Sequence, residues 1–166
     1  MTDAPRVQLL VGDREVAETT ALIPHPYEKG MAEAWISGQS RDFDLGREYT
    51  FAITRAGDAL LVGAISLRPI AGDQENLGYW VGREYWSRGY ATAAARAIIV
   101  VTFRCLDTNQ ITAAHLTRNA ASGRVLEKCG LTLVRRVMRD HRGRQEEFVV
   151  HGITRDAWEA QIAGLY

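Results

Sequence analysis

Apolar positions recur along the chain with two periods, 3.6 and 2, and the switches between them divide it into elements. Val7, Leu10 and Val11 fall at i, i+3 and i+4. That spacing predicts a helix beginning near Pro5, a residue suited to a first turn, and ending at Gly12. A second helical piece is predicted from Asp13 to about Thr20, with Val16 and Ala17 inward. Pro24 and Pro26 force a loop, and Glu28 to Ser40 reads as a helix presenting Met31, Ala34 and Trp35. The period then changes. Tyr49–Arg55 and Ala59–Leu67 read as a hairpin, with Gly63 marking a bulge, and Glu75–Val81 as the next strand. Gly89–Leu106 is predicted as a long helix with Ala91, Ala94, Ala95, Ile98, Ile99, Thr102 and Phe103 on one face. Ile111–Leu116 reads as a strand, and Ala120–Cys129 as a helix ended by Gly130. Leu131–Arg139 and Glu146–Ile153 form a hairpin around Arg142-Gly143-Arg144, and Asp156–Ala163 a closing helix capped by Thr154.

Composition narrows the class. A chain of 166 residues, 46% hydrophobic and 24% charged, is read as one soluble domain spanning residues 1–166. No apolar run approaches the ~18–20 residues that span a bilayer, and the N-terminal stretch Met1-Thr-Asp-Ala-Pro5 does not resemble a signal peptide. A cytoplasmic location is the expectation. Cys105 and Cys129 read as two reduced core thiols, and no Cys/His spacing suggests a metal site. Net charge is zero, but residues 1–75 hold 7 Lys/Arg against 12 Asp/Glu, a net −5, while residues 76–166 hold 13 against 8, a net +5. The near-neutral pI gives no support for nucleic-acid binding.

The most informative stretch is residues 80–92, Trp-Val-Gly-Arg-Glu-Tyr-Trp-Ser-Arg-Gly-Tyr-Ala-Thr. A strand runs into a short loop carrying Arg88 and Gly89, and a long helix follows. The first N–H groups of a helix lack internal partners and favour negative charge, so this arrangement is a phosphate cradle. It is not a P-loop, because no Gly-Lys-Ser/Thr ending follows, and not a dinucleotide fingerprint, because only Gly89 lies there. By itself it also fits an ordinary glycine turn between strand and helix.

A second block, Asn119-Ala-Ala-Ser-Gly-Arg-Val-Leu-Glu-Lys-Cys-Gly-Leu131, changes that balance. With Trp86-Ser87-Arg88-Gly89-Tyr90-Ala91 and Ile23-Pro-His-Pro-Tyr27, it resembles the GNAT superfamily of acyl-CoA N-acyltransferases, most closely the RimJ/RimL-type branch. The resemblance covers roughly residues 7–160 and implies an α/β (α+β) fold: a mixed, mostly antiparallel sheet flanked by helices. A typical member opens with a strand. Here only about five residues precede the first helix pattern, so the expectation is six strands, with the first edge strand missing and the Tyr49–Arg55 edge exposed. A homodimer through that edge, or its shielding by another segment, follows as a hypothesis.

The resemblance also implies acetyl-CoA as cosubstrate and direct acetyl transfer to a primary amine on a protein N-terminus or a small molecule; on spacing, hydropathy and charge, no metal and no membrane or nucleic-acid partner is expected. Backbone groups of Tyr79, Trp80 and Val81 would pair with the pantetheine arm. Arg88, Gly89, Tyr90, Ala91 and Thr92 would take the pyrophosphate. Asn119 resembles an asparagine near that arm, and Arg124 could reach the phosphates. Ser122 matches a serine able to hydrogen-bond the leaving thiolate, although it also suits an N-cap. The branch usually carries Glu at the position of Asn76, with Glu75 adjacent but on the opposite face of a strand. Glu75 recruited through a bulge, a water chain, or no strong base at all remain open, with His25 and His151 as other candidates. Tyr27, Trp35 and Trp80 are candidate acceptor-pocket walls or simple core. A non-catalytic acyl-CoA-binding or regulatory domain is the alternative function.

Overall fold

A computed structural model describes residues 2–70 and 72–164. The first helix, α1, covers Ala4–Val11 and buries Ala4, Val7, Leu10 and Val11. It is followed by α2 (Arg14–Glu18), capped by Asp13, whose side chain accepts from the Glu15 amide. No strand precedes β1 among the described residues, and the sheet has the six strands expected. The third helix, α3, spans Met31–Asp44 rather than Glu28–Ser40. It starts after Gly30, and only Ala32 is fully buried, while Ala34 is exposed. The apolar spacing of Met31, Ala34 and Trp35 overstated how much of this helix faces the core.

Six strands follow: β1 (Tyr49–Thr54), β2 (Leu61–Ile70), β3 (Gln74–Val81), β4 (Gln110–Leu116), β5 (Thr132–His141) and β6 (Arg144–Thr154). They form a mixed sheet in the order β1-β2-β3-β4-β6-β5. Only the β3–β4 pair is parallel, among pairs β1–β2, β3–β4, β4–β6 and β5–β6. The predicted hairpin bulge lies beside Gly63, not at it: Ile53 pairs Gly63 and Thr54 pairs Leu61, leaving Val62 as the extra residue. Gly63 instead permits a close approach, since a Cβ there would lie 2.3 Å from the Trp80 carbonyl oxygen.

Two compact units divide the chain, Met1–Arg68 with Tyr79–Ala91, and Pro69–Gly78 with Thr92–Tyr166. The second holds α4 (Tyr90–Cys105) from Thr92 onward, which buries Ala95, Ile98, Ile99, Thr102 and Phe103, the face its apolar spacing predicts. Its end is held by Arg155, which donates to the carbonyls of Phe103, Leu106 and Thr108. The closing helix α6 (Arg155–Ala163) is capped by Thr154, whose hydroxyl accepts from the Ala157 amide at 3.2 Å. Its Trp158 packs on Phe103, with ring centroids 5.2 Å apart. The remaining helix, α5 (Ala120–Lys128), buries Leu126 and Gly123. Both cysteines are free, but only Cys129 is buried. Cys105 is exposed because it falls on the outward side of the last turn of α4, so the reading of two core thiols holds for one of them.

Candidate active site

The β3–α4 junction lies in the first unit. β3 ends at Val81, a short 3₁₀ turn covers Arg83–Tyr85, and α4 begins at Tyr90. Between them Ser87 (φ 60°) and Gly89 (φ 86°) take left-handed backbone conformations. Glycine adopts this at little cost, whereas a serine pays ~1 kcal/mol, so the surroundings must hold the loop. Trp86 does so directly: its indole N–H donates to the Val81 carbonyl at 2.6 Å. That bond occupies one of the backbone acceptors that the family resemblance assigns to the pantetheine arm. Gly89 occupies the N-cap position of α4, so no cap side chain takes the first amides, and the first turn carries no acidic residue. A Cβ on Gly89 would meet nothing within 4 Å. Arg88 is exposed and makes no ion pair among the described residues. The donor set is therefore one that fits a phosphate: a 16-residue helix start with uncapped amides, an open approach and an uncommitted guanidinium.

The second unit holds the other expected site residues. Asn119 is the N-cap of α5, its Oδ1 accepting from the Ser122 amide at 3.2 Å. The capping role weighed for Ser122 thus falls to Asn119, and Ser122 sits in the first turn, half-buried. Arg124 is exposed on the same helix. Thr92, in the first turn of α4, offers its carbonyl to the Cys129 thiol at 3.6 Å. Arg96 donates to the Lys128 carbonyl at 2.9 Å. These two bonds tie the end of α5 to the start of α4.

Glu75 and Asn76 pair with Ile111 and Thr112 in an unbroken parallel register. No bulge turns Glu75 toward the face of Asn76, so the two side chains stay on opposite faces, and recruitment of Glu75 by that route is excluded. Beyond Thr112, β4 stays paired with β6 as far as Leu116, whereas the register with β3 stops at Asn76. Glu75 is buried, and burial pushes its carboxyl above the usual carboxylate range. Its Oε2 has no hydrogen-bond partner among the described residues.

The other candidate bases separate clearly. His25 lies exposed in the loop before α3. His151 is buried on β6 and stacks on His115 of β4, with centroids 5.3 Å apart and planes at 22°. Burial first, then the neighbouring His115, holds its pKa below the ordinary histidine value, against a weaker opposing pull from Glu127. His115 was invisible in the sequence pattern because it occupies an inward strand position of the kind usually filled by an apolar residue. Tyr27, Trp35 and Trp80 are each half-buried.

A protein-family model described as an acetyltransferase (GNAT) domain matches residues 1–132. The chain belongs to this family. Among curated relatives, the probable N-acetyltransferase YjcK of Bacillus subtilis is 36% identical over 86 residues, 50% of this chain and 48% of its own length. The chain spans roughly half the length of the curated relatives it matches, between 38% and 59%. Among solved structures, RimL, a ribosomal L7/L12 alpha-N-protein acetyltransferase in complex with coenzyme A, superposes with a TM-score of 0.83 at 15% identity, covering 94% of this chain and 90% of that one. A spermidine N-acetyltransferase from Vibrio cholerae, in complex with CoA and spermine, gives 0.79 at 16% identity, covering 95% and 93%. At such identities the likeness establishes the GNAT fold and nothing finer.

Proposed function

We propose that the chain, read as a single acetyltransferase domain over residues 1–166, is a cytoplasmic N-acetyltransferase that moves an acetyl group from acetyl-CoA directly to a primary amine. The observation that carries this reading is the β3–α4 junction, where left-handed backbone at Ser87 and Gly89 precedes an uncapped helix start. Arg88 supplies charge to the pyrophosphate, and the amides from Gly89 to Thr92 donate to it. Backbone groups of Tyr79 and Trp80 hold the pantetheine arm, with Val81 contributing its amide, since its carbonyl is engaged by Trp86. Arg124 assists at the phosphates. Asn119, through its cap, fixes the first turn of α5, and Ser122 in that turn donates a hydrogen bond to the departing thiolate.

The amine nitrogen attacks the thioester carbonyl, the C–S bond breaks, sulfur leaves as thiolate, and the nitrogen loses a proton. A water beside Asn76 takes that proton and passes it on; Glu75, on the opposite face of β3, acts only as a later acceptor in that water chain. The acceptor is a protein N-terminus or a small amine, in keeping with the ribosomal and spermidine N-acetyltransferases among the similar proteins. A purely acyl-CoA-binding role is the second reading, favoured by Asn76 standing where the family carries glutamate. The test is CoA release from acetyl-CoA with a panel of N-terminal peptides, polyamines and amino acids, for wild type and Ser122→Ala. Amine-dependent release that falls by about tenfold or more in kcat with Ser122→Ala supports the transferase. CoA binding without release for any acceptor favours the second reading.

A further inference from the structure

The phosphate loop is attached to the N-terminal helices at three points, all within the first unit. Arg83 pairs with Glu15 of α2 at 2.8 Å. Glu84 pairs with Arg6 of α1 at 3.3 Å. The Arg6 guanidinium also donates to the Tyr85 hydroxyl, and its Nε donates to the Leu61 carbonyl at 3.1 Å. Arg6 is thus fixed at one end by β2 and at the other by Tyr85. Tyr85 is 6% exposed, and its amide donates to the Gly82 carbonyl at 2.9 Å, closing the turn. A side chain at Gly82 would displace Leu10 of α1, since a Cβ there would lie 2.7 Å from its Cδ2.

The ring of Tyr85 connects this anchor to the loop. The Arg88 guanidinium carbon lies 5.7 Å from its centroid, within cation–π range. Tyr90 packs edge-on against the same ring, with centroids 5.9 Å apart and planes at 87°. Arg88 and Tyr90 flank Gly89, in a loop whose backbone is left-handed at residues 87 and 89. Such a loop does not hold itself. An exposed arginine with no ion pair also has many rotamers to lose on binding an anion, unless something restricts it beforehand. An aromatic face restricts the guanidinium without consuming its N–H donors, which a carboxylate partner would do.

We propose that Arg6 and Tyr85 are positioning residues for the phosphate loop: Tyr85, anchored through its hydroxyl to Arg6, supplies the ring on which Arg88 rests and against which Tyr90 packs. The role rests on the reading of this loop as the acetyl-CoA site. It makes the affinity for CoA depend on a residue in α1 that never touches the ligand.

The test uses the full chain as wild type, Tyr85→Leu, Tyr85→Phe and Arg6→Lys, with CoA as titrant in calorimetry. Hydrogen exchange of the peptide covering residues 86–91 is measured without CoA. Tyr85→Leu removes the ring and should weaken CoA binding by about tenfold or more. Its loop should exchange faster while β6 is unchanged, and KM for acetyl-CoA should rise with kcat nearly constant. Tyr85→Phe keeps the ring and should restore most of the affinity. Arg6→Lys cannot bridge the Leu61 carbonyl and the Tyr85 hydroxyl together, and should loosen the loop to an intermediate degree. Unchanged affinity and exchange in Tyr85→Leu, or in Arg6→Lys should Tyr85→Leu not fold, overturns the positioning role. Wild type that binds no CoA overturns the functional reading instead, and the exchange data still decide whether the clamp exists.

Discussion

Helices α4 and α5 start in opposite ways. The first turn of α5 is closed by a side chain of its own segment, Asn119, which accepts the Ser122 amide. The first turn of α4 has glycine at the N-cap and no acid nearby, and its approach is kept in left-handed backbone by contacts from α1, β3 and the 3₁₀ turn. One helix start uses its own residues to satisfy its amides. The other leaves them unmet, at a conformational cost borne by the surrounding unit. On the proposed reading, strain combined with unspent donors prepares the α4 start for a ligand, whereas the satisfied cap of α5 serves the fold.

The largest test of that contrast is Gly89→Val. A β-branched residue is a poor occupant of φ 86°, and nothing crowds the added Cβ itself. The substitution should therefore act through backbone geometry and weaken CoA binding by about a hundredfold, as misplacing a positioning group does. Calorimetric titration with CoA measures it. Affinity equal to wild type would show that the left-handed turn has no part in holding the phosphates.

Asn119→Ala examines the other helix. Loss of the cap should cost about 1 kcal/mol of stability, a drop in Tm of about 2–4 °C for a chain of this size, read by thermal denaturation. Asn119→Ser retains a capping oxygen and should recover most of that loss. If CoA affinity falls as far in Asn119→Ser as in Asn119→Ala, Asn119 contacts the ligand as the family resemblance implies. If affinity follows the Tm, its contribution is the cap.

Much of this arrangement was legible from spacing. The inner face of α4, the Thr154 cap, the strand–turn–helix order across residues 80–92 and the six-strand count all depend on local patterns that a single chain displays. What escaped depends on long-range pairing. Arg6 sits 79 positions from Tyr85, on the polar side of an amphipathic helix, where an arginine has no distinguishing mark. His115 meets His151 only because β4 and β6 are neighbours. The choice between Asn119 and Ser122 as cap needed backbone dihedrals, since both residue types suit the position. Whether Glu75 could swing to the face of Asn76 needed the strand register.

Glu75 brings the contrast between ligand-facing and fold-facing groups onto one residue, and Glu75→Gln sharpens it. Burial raises the carboxyl pKa in the folded chain above the ordinary value of about 4.3. Between those two pKa values the folded state binds more protons than the unfolded one, so stability falls as pH rises through that window. The ionised carboxylate, with Oε2 unpartnered, is the destabilised form. Gln carries no charge, so Glu75→Gln should leave Tm nearly unchanged at pH 4. The variant should be more stable than wild type at pH 7–8, by less than the cap effect, with the gap closing on acidification. Thermal denaturation at several pH values checks the sign. Turnover on the same samples then separates the roles. A stabilised variant with wild-type kcat makes Glu75 a buried acid tolerated by the fold. A stabilised variant that has lost its pH-dependent rise in kcat makes it the proton acceptor, a group whose burial weakens the fold and raises its basicity by the same physical cause.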